Sequence, residues 1–359
     1  MRLSCKRENL SKALAVAAKT VKMRVSLPVL SNIMIATDRD RVKVVATDLE
    51  SSATVWLEAK IEEEGAITVP ARTILEYAQS SSDDVLEIVA NDTDVRVKGG
   101  QNNATIKGIA ADEFPIITPV KSEKGFKIAA NTLKNALLAV SSAAALDETR
   151  PVLSGILFLA GKDLRIVATD SYRLAEQRIK LDDLSPSQAN VSQRTATELA
   201  RTLPADDSIV EVSIGDNQVQ FLCQDILFLT RQIEGNFPDY NQIIPKEFVY
   251  EVICQKDKLV EGLRVASIFA RESGNNIKLS GEDSKIILSA VSAQTGDSQT
   301  QVEASTKGSP LAVSFNVKFL LDGINAITSG EVKLQLSGPL SPGLLSAEGD
   351  SSFRYVIMP

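Results

Sequence analysis

Apolar positions along the chain keep two alternating rhythms. Leu10, Leu14, Ala17 and Val21 fall at i, i+4, i+7 and i+11, which lines them along one face of a helix. Leu133, Leu137, Val140 and Ala144 repeat that stripe, and Leu259, Leu263, Ala266 and Ala270 repeat it again with more charge between them. After each stripe come short runs rich in Val, Ile and Leu, the first set at residues 32–36, 42–46, 54–58 and 66–69. Later runs alternate strictly, as in Val95 and Val97 or Val210, Val212 and Ile214, the pattern of sheets with one wet face. A second helix is expected in each stretch, over residues 71–80, 193–202 and 316–328. The pattern predicts an α+β fold in which each stretch is a duplicated helix-plus-strands unit, with paired helices covering one side of a sheet.

The stretches are repeats of one another. Residues 28–50 read PVLSNIMIATDRDRVKVVATDLE and residues 151–174 read PVLSGILFLAGKDLRIVATDSYRL. Thr47 and Asp48 return 122 residues later as Thr169 and Asp170. VPARTILEYA from Val69 and VSQRTATELA from Val191 share that offset, and Val313 opens VSFNVKFLLDGI a further 122 residues on. Three markers at one spacing predict three domains, at 1–121, 122–248 and 249–359, too long and too strand-rich for a helical solenoid. Their linkers, residues 115–125 and 238–250, each begin at a Phe-Pro pair, Phe114-Pro115 and Phe237-Pro238.

Composition narrows the chemistry. With 44% hydrophobic and 24% charged residues, the chain is that of a globular protein and not a disordered one. The 359 residues contain no histidine, which removes the commonest general base, the Ser-His-Asp triad and most zinc and haem sites. Three scattered cysteines, Cys5, Cys223 and Cys254, make neither a disulfide framework nor a CxxC site. Cys5 and Cys223 fall in expected strands and read as inert core thiols. No phosphate-binding glycine loop occurs, no carboxylates cluster at ligand spacing, and Glu62–Glu64 reads as a solvated loop. The two TD aspartates read as strand-end residues accepting bonds from nearby backbone N–H groups. No metal, no cofactor and no catalysis are expected, so the chain reads as a binding protein. The absence of a signal peptide or an apolar span points to a cytoplasmic protein with no membrane partner.

A net charge of −7 argues against nucleic acid until it is divided. The expected helices, taken as 6–24, 70–80, 131–145, 192–203, 256–273 and 316–328, carry 15 Lys and Arg against 7 Asp and Glu. The remainder carries 24 against 39. Lys12 and Lys19 stand seven apart on the face opposite the leucine stripe, Lys22 and Arg24 follow, and Arg194 and Arg201 share a face of a later helix. Helices gathered on one side of the repeats would give a basic lining and an acidic exterior, able to hold a phosphate backbone without reading bases.

Specific motifs then point to a family. LPVLSNI at 27–33, TDLE at 47–50, RPVLSGI at 150–156, ATDSYRLA at 168–175 and FPDY at 237–240, in a chain of three repeats, resemble the bacterial DNA polymerase III β sliding clamps over the whole length. The resemblance implies a DNA clamp fold without enzymatic activity, with helices lining a ring and sheets outside. It implies a head-to-tail homodimer around double-stranded DNA. It also implies partners, namely replicative and other DNA polymerases, the clamp loader and repair proteins, that dock short linear motifs in a pocket between the second and third domains. Matched residue by residue, that pocket uses Leu153, Thr169, Ser171, Tyr172, Arg173, Leu174, Pro238, Gln242, Ile243, Pro342, Val356, Met358 and Pro359. An adaptable methionine in an apolar site suits varied peptides. Arg24 matches a DNA-contacting arginine, and Ile268 with Phe269 match the third-domain side of the dimer interface, opposite a strand near residues 103–107. Two departures are visible. The sequence stops at the Met-Pro pair, which family members often extend, and Ser171-Tyr172 replaces the usual glycine-histidine pair. The competing reading is a scaffold of three β-rich repeats with no role on DNA; an enzyme using a carboxylate-bound metal fits poorly.

Overall fold

The computed structural model describes residues 1–22, 27–121, 124–147, 149–182 and 184–359. Its elements follow the repeat. The first comprises β1 (Arg2–Lys6), α1 (Arg7–Ala18), β2 (Asn32–Asp38), β3 (Arg41–Thr47), β4 (Ser51–Glu58), β5 (Lys60–Glu63), β6 (Ala66–Pro70), α2 (Ala71–Ser80), β7 (Val85–Asn91), β8 (Asp94–Gly99) and β9 (Asn102–Lys107). The second comprises β10 (Gly125–Ala129), α3 (Ala130–Ser141), β11 (Gly155–Ala160), β12 (Leu164–Thr169), β13 (Arg173–Ile179), β14 (Ser187–Ser192), α4 (Gln193–Thr202), β15 (Ile209–Ile214), β16 (Gln218–Cys223) and β17 (Ile226–Arg231). The third comprises β18 (Tyr250–Gln255), α5 (Lys256–Ala270), β19 (Asn276–Glu282), β20 (Lys285–Ser292), β21 (Gly296–Glu303), β22 (Ser305–Gly308), β23 (Ala312–Asn316), α6 (Val317–Ala326), β24 (Glu331–Leu336), β25 (Gly343–Ala347) and β26 (Asp350–Ile357).

The leucine stripes are the buried faces of α1, α3 and α5. Leu10, Leu14, Leu133, Leu137 and Leu263 have no exposed surface, and each such side chain contributes about 1.5–3 kcal/mol of burial. The helix expected over 6–24 ends as α1 at Ala18, because the next three N–H groups bond three residues back instead of four, tightening the last turn. Glu62–Glu64 is not simply a loop. Glu62 and Glu63 lie on the short β5, where the Arg2 guanidinium meets Glu62 at 3.0 Å. The three acidic side chains concealed an edge strand that backbone pairing to β1 creates.

All strand pairing is antiparallel, and it crosses the repeat boundaries. The chain forms two compact units, Met1–Thr132 with Arg201–Gln232, and Leu133–Ala200 with Ile233–Pro359. Unit 1 holds an eight-stranded sheet, β10-β15-β16-β17-β4-β3-β2-β6, in which β17 of the second repeat pairs with β4 of the first. Unit 2 holds a nine-stranded sheet, β14-β11-β12-β13-β26-β25-β24-β18-β22, in which β26 of the third repeat pairs with β13 of the second. The division therefore runs through the second repeat. The remaining sheets are β5-β1-β7-β8-β9 in unit 1 and β21-β20-β19-β23 in unit 2. In unit 1, α1 packs on β3 and β4 beside α2; in unit 2, α5 packs on β20 and β21 beside α6.

Candidate functional site

The TD turns are built alike. Asp48 accepts from the amides of Glu50 and Ser51, at 3.1 and 2.7 Å, while the Thr47 hydroxyl donates to the Ser51 carbonyl. Asp170 accepts from the amides of Tyr172 and Arg173, at 2.9 and 3.0 Å, and the Thr169 hydroxyl donates to the Arg173 carbonyl. Both aspartates are thus turn-forming residues, as the sequence suggested. Each turn drives one residue into the left-handed region, Leu49 at φ 73° and Ser171 at φ 79°. That conformation is one glycine adopts without the steric cost a side chain carries. The third repeat makes its version with Ser292, whose hydroxyl oxygen accepts from the amides of Gln294 and Thr295.

Several pocket residues matched from the sequence meet on unit 2. Leu174 and Val356 are cross-strand partners on β13 and β26, both buried, and with Tyr240 and Ile244 they form an apolar cluster against which Ile243 packs. The Met358 amide donates to the Tyr172 carbonyl at 2.9 Å, which puts the half-buried Met358 beside the exposed Tyr172. The Arg150 guanidinium donates to the Ser171 hydroxyl at 3.0 Å. Leu153 is buried on the one-turn helix Pro151–Ser154, its carbonyl accepting from the Ala145 amide. Pro238 and Gln242 are exposed beside the turn Tyr240–Gln242, where the Gln242 amide donates to Asp239. Pro342 is half-buried next to Gly343, the partner of Ile357, and Pro359 is exposed.

Arg173 plays a different part from an open rim donor. Its guanidinium is 9% exposed, pairs with Asp170 at 3.0 Å and with Asp322 of α6, and lies 4.1 Å from the centre of the Phe319 ring. Burial opposes its charge, but Tyr355, Asp322 and Asp170 outweigh it and hold the arginine further above its ordinary value. The ring of Tyr355 fits against α6 because Gly323 has no Cβ, which would stand 2.5 Å from the ring. Arg173 therefore ties the TD turn to α6.

A second network, which residue patterns alone did not reveal, joins β13, β26 and Tyr240 beside these residues. Glu176 on β13 has no exposed surface, accepts from Arg178 at 2.7 Å and from Arg354 on β26 at 3.0 Å, and accepts the Tyr240 hydroxyl at 2.9 Å. Burial opposes its charge, yet Arg354 and Arg178 keep its carboxyl below the usual range. Burial, reinforced by Glu176, pushes Tyr240 up to about 12. The available signal was a glutamate following Leu174 and Ala175 on one strand, six residues after the TD aspartate.

The helix-borne cations divide into two kinds. Lys12 is exposed and pairs with Glu8, one turn away, and Lys19 is exposed with its ammonium 3.4 Å from the Thr202 hydroxyl of α4. Arg194 and Arg201 are exposed on α4. Lys22 instead meets Asp48 at 2.8 Å, a carboxylate only 5% exposed, so its charge holds the first TD turn. There burial opposes the Asp48 charge, while Lys22 and the Ser51 amide lower its pKa. Arg24 lies outside the described residues. The three thiols are buried, and burial pushes Cys5 and Cys254 up to about 12. Among the described residues no three Cys, Asp or Glu side chains gather at metal-binding distance, and no helix is long and apolar enough to cross a membrane.

Ile268 is 55% exposed at the end of α5, followed by the half-buried Phe269. The junctions β17·β4 and β26·β13 are equivalent by repeat, and the same rule would pair β9 of the first repeat with β21 of the third. Both are edge strands, each bonded on one side only among the described residues.

Three family models match the chain in succession. Residues 1–118, 127–239 and 241–359 match in turn the family models of the N-terminal, central and C-terminal domains of the DNA polymerase III beta subunit. The beta sliding clamp of Synechococcus elongatus is 29% identical over 100% of this chain and 99% of its own, and that of Staphylococcus aureus is 27% identical with the same coverage. Among solved structures, the Bacillus subtilis DNA polymerase sliding clamp is similar at a TM-score of 0.96 and 26% identity, covering 100% of this chain and 98% of that one. A Pseudomonas aeruginosa sliding clamp, solved bound to griselimycin, is similar at a TM-score of 0.96 and 28% identity, covering 100% and 99%.

Proposed function

The chain belongs to the DNA polymerase III β-subunit family, the sliding clamps, and from that premise we propose a polymerase processivity factor that acts without catalysis. Two copies join head to tail and close a ring of six similar domains around duplex DNA. The observation that carries this reading is the unmade third junction. The repeat pairs β4 with β17 and β13 with β26, and leaves β21 and β9 as open edges of opposite ends of the rule. A second copy supplies the missing partner of each, and in a closed ring of two copies no such junction is left unmade. Ile268 fits that assignment. It occupies the place in α5 that Lys19 occupies after α1, where Lys19 reaches Thr202 at the end of α4. By repeat, Ile268 faces the end of α2 in the second copy.

The helix cations face the DNA. Lys12, Arg194 and Arg201, exposed on helices, and Lys19, exposed just past α1, hold phosphates non-specifically, with Arg24 as a further contact by family resemblance. Exchanging Lys12 and Lys19 for glutamate is expected to weaken direct DNA binding and to flatten its dependence on salt by roughly one to two counterions per copy. A titration at several salt concentrations that gives an unchanged slope would place those side chains away from the phosphates.

Partner polymerases, the clamp loader and repair proteins dock on unit 2. Leu174 and Val356 form the apolar floor, Ile243 a wall, and Met358 with Tyr172 an adjustable rim. Met358→Ala removes rim packing without touching the buried network, and roughly tenfold weaker binding of an apolar linear peptide is expected. Unchanged affinity in a calorimetric titration would contradict the pocket.

A further inference from the structure

One cross-strand row occurs twice in the chain with different chemistry. In unit 2 it runs Leu157–Val167–Glu176–Arg354 across β11, β12, β13 and β26. Tyr240, three residues after Phe237, lies over it and donates its hydroxyl to Glu176. In unit 1 the equivalent row runs Met34–Val45–Thr54–Leu227 across β2, β3, β4 and β17. The residue three after Phe114 is Ile117, so the ring, the carboxylate and the guanidinium are all replaced by smaller or apolar groups. What remains is a cavity of about 480 Å³ lined by all four members of the row, by Ile117 and by Trp56. Among the described residues nothing hydrogen-bonds the Thr54 hydroxyl, which stands at the position in its row where Glu176 accepts the Tyr240 hydrogen bond.

We propose that this cavity is a second peptide site, which takes an aromatic side chain, preferably tyrosine, from an extended segment of a partner protein. The ring completes in trans the packing that Tyr240 completes in cis in unit 2, and its hydroxyl meets Thr54. The cavity continues into a shallower polar one that shares Pro115, Ile116 and Ile117 and is bordered by Glu50 and Arg231, which gives the peptide backbone a path. Ile116, 94% exposed, stands at the junction of the two as an apolar contact for the flanking residue. The choice of a peptide as ligand rests on the pocket reading for unit 2; the cavity and its missing ring do not.

Trp56 is the only tryptophan in the chain, and its indole N–H donates to Asp38 at 2.9 Å, so its emission reports on this cavity. The probe is acetyl-Gly-Tyr-Gly-amide, compared with its Phe and Ala counterparts, with excitation at the red edge where tyrosine does not absorb. The full chain is expected to show a saturable change with the Tyr peptide, roughly tenfold tighter than with the Ala peptide. Ile117→Tyr supplies the ring from within and is expected to abolish that change. Thr54→Val keeps the shape and is expected to erase the preference for Tyr over Phe, which serves if Ile117→Tyr does not fold. Met358→Ala, in the other unit, is expected to leave the signal within about twofold. Three results would overturn the proposal: no saturable change, equal affinity for the Ala peptide, or loss of the signal in Met358→Ala. The last would mean the ring had entered the pocket of unit 2. Conversely, loss of apolar-peptide binding there with an intact Trp56 signal would leave this proposal standing alone.

Discussion

Glu176→Ala is expected to lower stability by about 3 kcal/mol, because it leaves the half-buried Arg354 guanidinium without its carboxylate and strips the buried Tyr240 hydroxyl of its acceptor. The cost should appear as a lower midpoint in urea unfolding. Replacing both members of the pair by leucine should return stability to within about 2 kcal/mol of the parent, since a packed apolar pair costs no desolvation. A loss below about 1 kcal/mol for Glu176→Ala would show that the network does not hold β13 to β26. Glu176 also sets a pH dependence. Its carboxyl sits below the range it would have in the unfolded chain, as does that of Asp48. The stability they contribute is therefore complete above the unfolded value of about 4.3 for Glu or 3.9 for Asp, and falls away as pH drops through the lowered folded values. With no histidine in the chain, histidine titration adds nothing to this dependence between pH 5 and 8.

Ile268→Asp is expected to convert the proposed dimer to a monomer. The side chain is 55% exposed in the single chain, so the substitution costs the fold little, yet it places a carboxylate in the apolar centre of the proposed interface. A loss of at least about 3 kcal/mol, more than a hundredfold in affinity, is expected. Light scattering should then return 38.7 kDa for the variant and twice that for the parent, with the same unfolding midpoint measured on dilute protein. A variant that stays dimeric would move the interface away from α5.

The repeat was the legible part of this sequence. Among the described residues the helices lie within a few residues of where the apolar pattern expects them, except at the end of α1, because their buried faces are set by side-chain size and spacing. The TD turns were legible too, since aspartate at a strand end has one common use. What the pattern missed depends on partners distant in sequence. β5 hid behind Glu62 and Glu63 because backbone pairing to β1 overrides their polarity. Lys22 looked like a free cation until Asp48, 26 residues on, came within 2.8 Å. Arg173 matched a pocket residue, but Asp322, 149 residues away, turns its charge inward. Buried charge is paired through tertiary structure, and no window of local sequence contains both members.

Topological retention on DNA tests the central claim most directly. The protein is loaded on closed circular duplex and washed at high salt, and retention is compared before and after a single cut of the circle. A ring that holds DNA by encirclement stays on the circle and leaves through the ends once it is cut. Equal retention on circular and cut DNA would mean that binding is by contact alone, and would contradict the clamp.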